Sequence, residues 1–513
     1  TGTFVIPTNL LNGAMTISNE YGTAYVQVEE YKRPKFEVTF EPLKGSYKLN
    51  ETVKVTGTAK AYAGNNIDNA QVSYRVKRNA VFPYWWWWWR PMPTSDELEI
   101  AVGNATTNEN GEFEIAFTAI PDLTLKSADK PQFNYTVYVD ITDLNGETRS
   151  GELTVSVGTV AMLANINLPD LVNRNDKKTF ALSTTNLSGE PTPAKVAVAI
   201  NRLQHPSKVY RNRLWEQPDL TMMSREEYAA DFPLDEYQNE NNPDNWERAE
   251  QVYNQTLNTP ADTAINLANL ANLKPGRYLA TLTTTDAYGE KVEWKKVFTI
   301  FDPDDNKVPA NELFWSNLSA TSAEPNQTVT LLFGSAAPNA RFLFEMEHEG
   351  KIVRREWITA NQAQQAVKVK VEEKHRGNFA LHISLVKHNR VFTQTHTIMV
   401  PWSNKNLKID FQTFRNKLYP GQKEEWQLKI TGANGDKVAA EMLAAMYDAS
   451  LDAFKPHSWY MSIFPSFYPT SSFASDGGFS IAQARLRADY WNDNKYSQRS
   501  QEYEYLNYFD FYL

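Results

Sequence analysis

Apolar and polar residues alternate one for one along most of this chain. In KFEVTFEP (35–42), Phe36, Val38 and Phe40 share one face, and Lys35, Glu37 and Thr39 share the other. FNYTVYVDIT (133–142) sets Phe133, Tyr135, Val137, Val139 and Ile141 on one side, and GELTVSVG (151–158) does the same with Leu153, Val155 and Val157. A period of two with one apolar face predicts half-buried strands. Seven such runs fall between 35 and 158, at about 35–40, 52–61, 71–78, 96–102, 112–118, 133–142 and 147–157. Turn signals such as Glu109-Asn110-Gly111-Glu112 and Leu144-Asn145-Gly146-Glu147 separate some of them. Seven short strands so spaced predict a β-sandwich.

The pattern recurs. ISNEYGTAYVQVEEY (17–31), ITDLNGETRSGELTVSVG (141–158) and TTDAYGEKVEWKKVFTIF (284–301) each read as strand, polar turn and final strand, with Gly22, Gly146 or Gly289 at the turn. FALHISLVKHNRVFTQTHTIMV (379–400) keeps the strands and puts Asn389 at the turn. Self-similarity at this long spacing predicts an array of sandwiches rather than a solenoid, whose repeats are shorter. The expected division is a domain tail at 1–31, sandwiches at 32–158, 159–302 and 303–401, and a further domain opening at 402–513. The expected fold is all-β: tandem immunoglobulin- or fibronectin-like sandwiches with a short helical insertion.

That insertion is expected at about 215–258. Ser224-Arg225-Glu226-Glu227 has the form of a helix capping box, and Pro243-Asp244-Asn245-Trp246-Glu247 leads into RAEQVYNQTL, so one or two short helices are predicted. Such an excursion either binds a partner or packs on its own domain.

Composition narrows the chemistry. The 513 residues carry a net charge of −9, which argues against nucleic acid as the main partner, because phosphate binding needs concentrated basic surface. No apolar run reaches the length that spans a bilayer. There is no cysteine, which removes disulfides, thiolate catalysis and Cys-based zinc sites. Both a cysteine-free bacterial periplasmic protein and a cytosolic one fit.

None of the seven histidines forms a His-x-x-x-His pair. His382, His388 and His396 fall on one predicted hairpin, where His382 and His388 share a parity and could face the same side; ordinary strand histidines are the favoured reading. FDPDDNKVPANE (301–312) looks calcium-like through Asp302, Asp304 and Asn306, but Lys307 replaces the glycine at loop position six and Leu313 the glutamate at twelve, so an acidic linker is favoured. The sequence points to no catalytic residue, metal or cofactor. The tail from 455 to 513 loses alternation and fills with Tyr, Phe, Ser and Asn, so it is read either as exposed and cleavable or as packed on its neighbours.

YWWWWWRP (84–91) follows one predicted strand and precedes another. Trp85, Trp87 and Trp89 then point one way, and Trp86 and Trp88 the other. An apolar patch of this size marks an interaction surface. The favoured expectation is burial between domains; partner binding and membrane contact are the alternatives.

VEEYKRPKFEV (28–38), through Glu30, Tyr31, Pro34, Phe36 and Val38, resembles the junction between successive macroglobulin domains of the alpha-2-macroglobulin family, especially its large bacterial members of the Bacteroidetes type. LYPGQKEEWQLKITGANGDKVAAEMLAAMYDASLDAF (418–454), with Asp448 and Leu451, resembles a later domain of that family. The resemblance implies macroglobulin-like sandwiches in a bacterial periplasm or envelope, held by a lipid anchor outside this chain. It implies a peptidase inhibitor, which traps its attacker after an exposed bait is cut near the irregular tail. The family's thioester joins Cys to Gln, and no thioester can form in a chain without cysteine. The chain is thus expected to be a non-catalytic scaffold, with peptidases and neighbouring domains as partners. The alternatives are a structural or adhesive envelope array and a carbohydrate-binding module.

Overall fold

The computed structural model describes residues 13–19, 22–28, 35–43, 45–62, 64–81, 97–125, 131–176, 179–211, 213, 220, 222–415, 419, 421–433, 435, 437, 440–444 and 463–472. A first hairpin pairs β1 (Gly13–Asn19) with β2 (Gly22–Val28). The seven alternating runs that follow are β3 (Phe36–Phe40), β4 (Thr52–Ala61), β5 (Gln71–Val81), β6 (Leu98–Thr106), β7 (Glu112–Thr118), β8 (Gln132–Thr142) and β9 (Thr148–Gly158). They form two antiparallel sheets, of order β3-β4-β7 and β6-β5-β8-β9. Their inward residues make one core, in which Phe36, Val53, Val72, Phe133, Val137 and Val157 are fully buried. Each such side chain stabilises the fold by roughly 1.5–3 kcal/mol relative to exposure.

The next strands are β10 (Met162–Ile166), β11 (Leu171–Asn173), β12 (Thr179–Asn186), β13 (Ala194–Gln204), β14 (Glu247–Thr259), β15 (Ala264–Asn266), β16 (Gly276–Thr285) and β17 (Lys291–Phe301). They build the sheets β10-β12-β15 and β11-β17-β16-β13-β14 around a second core. A third core lies between β18-β19-β22 and β21-β20-β23-β24. Its strands are β18 (Trp315–Leu318), β19 (Thr328–Ser335), β20 (Ala340–His348), β21 (Lys351–Ala360), β22 (Ala363–Lys370), β23 (Phe379–Lys387) and β24 (Arg390–Ile398). The first and third units share one strand order: the first, second and fifth strands make one sheet, and the fourth, third, sixth and seventh the other. The second unit adds the short β11, parallel to β17. This is the tandem all-β sandwich architecture that the alternation predicts. A last hairpin pairs β25 (Leu407–Thr413) with β26 (Gln427–Gly432).

A turn of one chemical type recurs between paired strands. Asn108, Asp143, Asn186 and Asp286 each precede a glycine by three residues and a glutamate by four. In every case the Asx Oδ1 accepts two backbone N–H groups, from positions two and four further on. The glycines take φ of 77, 79, 91 and 84°, a region costly for any residue with a Cβ. The side chain thus does locally what a tight hairpin asks of the backbone.

The excursion between β13 and β14 holds the helix α1 (Arg225–Asp231). Its capping box is formed as the sequence predicts: the Glu227 N–H donates to Ser224 Oγ and the Ser224 N–H to Glu227 Oε2. A helix over RAEQVYNQTL does not form. After one tight turn at Pro243–Asn245, these residues are strand β14, paired with β13 from Ala194↔Thr259 to Gln204↔Glu247. The open edge of β13 offers that stretch a ladder of backbone hydrogen bonds, and this outweighs a weak helical preference.

Candidate functional site

The five tryptophans Trp85, Trp86, Trp87, Trp88 and Trp89 lie outside the described residues, as do Glu30, Tyr31, Pro34, Asp448 and Leu451. The chemistry that the described residues bring together is on the third sandwich and at its joint with the second.

On the third sandwich, β23 departs from simple alternation. Its residues Phe379 to Leu385 are all buried, so both faces of the strand are covered. Part of the outer cover is the extended segment 463–472, which has no regular secondary structure. Glu347, at a bulge in β20, is 2% exposed and receives that segment. Its Oε1 accepts the Thr470 N–H at 2.8 Å and the Thr470 hydroxyl at 3.0 Å, and its Oε2 accepts the Ser471 N–H at 3.1 Å. His382 Nε2 lies 2.9 Å from Oε2, and His382 Nδ1 lies 2.9 Å from Thr395 Oγ1. An ionised carboxylate only accepts, so Nε2 carries a proton towards Glu347. Burial works to raise the Glu347 pKa, but the hydrogen bonds from Thr470, Ser471 and His382 prevail and hold it at about 2. Four donors use most of the capacity of this carboxylate, which makes it an anchor rather than a proton carrier.

The rest of the groove is equally specific. Gly377 has φ +84°, and a Cβ there would sit 2.5 Å from Pro465 O and 3.2 Å from the Phe467 ring. Its own N–H donates to Val400 O at 2.9 Å, and its carbonyl accepts the Phe467 N–H. Trp402 Nε1 donates to Pro465 O at 2.9 Å, and its ring stacks on Phe464 with centroids 5.6 Å apart. Phe467 meets His348 edge to face. Buried Arg376 ties the turn below to Glu373, Glu324, Ser403 Oγ and Pro401 O.

The second and third sandwiches meet at a polar joint built by the excursion. Arg211 forms a two-pronged ion pair with buried Asp235 and sends a third N–H to His388 O at 3.2 Å. Asn311 Nδ2 donates to Pro206 O at 2.9 Å. Arg277 pairs with Glu312 at 2.9 Å and lies over the Trp246 ring. Beneath these, Phe301, Trp315 and Leu332 form a small apolar plug. The excursion therefore packs on its own sandwich and on the next one at once.

The three hairpin histidines are not brought together. His382 is on the outer face of β23, whereas His396 is paired with core residue Leu381 and so points inward. His388 falls in the turn beyond β23, with φ +51°, where strand parity no longer applies. In the calcium-like stretch, Asp302 pairs with Arg174 at 2.9 Å, and the carbonyls of Asp302 and Asp305 accept from Gln364 Nε2. Among the described residues no three His, Cys, Asp or Glu side chains cluster as a metal site. Nor is any helix there long and apolar enough to cross a membrane. Sequence reasoning missed Glu347, Gly377 and Trp402, because nothing in their neighbours along the chain announces a segment arriving from residue 463 onward.

Residues 314–453 match the family model described as the alpha-2-macroglobulin bait region domain. The match begins at the third sandwich, takes in Glu347, Gly377 and Trp402, and ends shortly before the docked segment. No curated protein matches the sequence. Among solved structures, trypsin-activated alpha-2-macroglobulin from Escherichia coli is similar at 12% identity and a TM-score of 0.39, covering 83% of this chain and 28% of that one. A Salmonella alpha-2-macroglobulin mutant is similar at 11% identity and a TM-score of 0.29, covering 87% and 29%. A tetra-tandem repeat from the extending region of a large adhesion protein aligns at 13% identity and a TM-score of 0.18, covering 76% and 82%. The chain thus spans less than a third of the length of either alpha-2-macroglobulin. Likenesses at these TM-scores carry no argument about this chain.

Proposed function

We propose, from the alpha-2-macroglobulin bait region domain matched at 314–453, that this chain is a stretch of the macroglobulin-domain array of a bacterial peptidase trap. In this reading it is a non-catalytic scaffold. It has the end of one domain at 1–31, whole domains at 32–158, 159–302 and 303–401, and the opening of the next from 402, and its partners are attacking peptidases. The setting is a bacterial periplasm or cell envelope. The observation that carries the reading is the family match, which covers the third sandwich and stops just short of the irregular tail.

The scaffold role also agrees with the interdomain contacts. Asn186 caps its own turn through Oδ1 and donates through Nδ2 to Leu43 O and Gly45 O of the first sandwich. Tyr288, in the matching turn of the second sandwich, donates to Glu51 Oε2 at 2.6 Å. A trap has to pass a cut in one place to the rest of the array, and contacts of this kind link one sandwich to the next.

The test exposes the protein to several peptidases of unrelated specificity, with cut sites read by mass spectrometry and compactness by small-angle scattering. The expected result is early cutting within 455–513 by all of them, followed by a change in overall dimensions. Cutting that starts in the sandwiches, or tail cutting with no change in dimensions, would refute the trap.

A further inference from the structure

The contacts of 463–472 describe an unequal pair. The receptor side stands on strands and a turn that are held without the segment: Glu347 on β20, His382 on β23, and Gly377 in a turn tied down by Arg376. The ligand side is a short stretch of extended chain with no fully buried side chain; Phe464, Phe467, Pro469 and Ser471 are half-buried, and the rest are exposed. Ordering a free segment of this length costs backbone entropy comparable to what a few hydrogen bonds and two half-buried rings return. The receptor loses nothing of that kind, because its strands are already paired on both sides.

Recognition is also chemically particular. Glu347 takes two successive backbone N–H groups and a hydroxyl, which requires an extended chain with Thr or Ser and no proline at those two positions. Trp402 takes a carbonyl and stacks on an aromatic ring, and the Gly377 carbonyl takes an N–H two residues later. A pre-formed groove reading main chain plus spaced side chains is how extended peptides are bound in general.

We propose that Glu347, Gly377 and Trp402 form an exchangeable peptide-binding site for an extended segment of the pattern aromatic-Pro-x-aromatic-x-Pro-Thr-Ser, and that residues 464–471 are its releasable resident. The same groove then accepts this segment in trans. The inference rests on the contacts of 463–472 and does not depend on the peptidase-trap reading.

The test uses the full chain and a fluorescent synthetic peptide of residues 463–472. Phe464→Ala with Phe467→Ala weakens the resident and leaves the groove intact. The peptide binds this double variant about ten-fold more tightly than the wild type, whose groove is occupied. Adding Glu347→Gln lowers that affinity by about ten-fold or more, and adding Trp402→Phe, which keeps the ring and removes the indole N–H, lowers it by a smaller factor of about five. Protected amides in β20 and β23 by hydrogen exchange show that the sandwich stays folded in each variant. The proposal is overturned if the double variant shows no saturable binding, if it binds no better than wild type, or if neither groove substitution weakens binding in a folded chain. These outcomes are read with no peptidase present, whereas the trap is judged on wild-type chain by cut sites and overall dimensions, so the two readings fail separately.

Discussion

His382 Nε2 meets Glu347 Oε2 at 2.9 Å, on strands adjacent in the sheet but 35 residues apart in sequence. The pair sits on the outer face of the third sandwich, where an antiparallel sheet ordinarily meets water. It is buried because Thr470 and Ser471 close over it.

That burial has a pH signature. The Glu347 carboxyl is held at about 2, below its ordinary 4.5, so docking gains stability that is complete above pH 4.5 and is lost as pH falls towards 2. His382 contributes to that lowering and stays on the sandwich when the segment leaves, so the part owed to docking is below about 3 kcal/mol. A fluorinated phenylalanine at position 467, followed by fluorine NMR, should report a docked signal at neutral pH and a growing free signal below about pH 4. A signal unchanged down to pH 2 would contradict the assignment of Glu347 as the anchor.

Gly377→Ala should release the segment while sparing the sandwich. The added methyl would lie 2.5 Å from Pro465 O on a backbone of φ +84°. The left-handed backbone alone costs a residue with a Cβ about 1–2 kcal/mol. The expected outcome is faster hydrogen exchange at Phe467, Thr470 and Ser471, with protection retained in β23.

Arg211→Ala should loosen the joint between the second and third sandwiches. It takes from Asp235, 4% exposed, its two-pronged partner and leaves the Arg390 guanidinium acting on that carboxylate. Breaking a buried pair from one side costs about 3–5 kcal/mol, whereas removing both partners costs much less. Arg211→Ala with Asp235→Ala should therefore be more stable than Arg211→Ala alone, as thermal denaturation can show. If the two are equally unstable, the ion pair is not what holds the joint.

Asn186→Asp separates the two tasks of one side chain. An aspartate keeps the oxygen that caps the turn at Ser188 and Glu190 but lacks the N–H groups given to Leu43 O and Gly45 O. The turn should stay protected from exchange while the contact with the first sandwich weakens by about 1–3 kcal/mol. Small-angle scattering should then show a wider range of dimensions than the wild type.

Much of this protein was written in its local pattern. Alternation at Phe36, Val38 and Phe40, or at Val137, Val139 and Ile141, marks strands because a pleated chain sends successive side chains to opposite faces. Ser224 and Glu227 announced their helix, because a cap needs only groups three residues apart. RAEQVYNQTL was misread, because its fate depended on the free edge of β13 and not on its own residues.

The groove was decided by tertiary structure alone. Alternation in FALHISL states that one face of β23 is buried and says nothing about the other. Nothing in the local pattern singles out Glu347. It becomes the anchor of the groove because a segment 123 residues further on brings it two N–H groups and a hydroxyl. Periodicity reports a single face of a single element. Burial of the second face is a long-range event, paid for by hydrogen bonds that no local window contains.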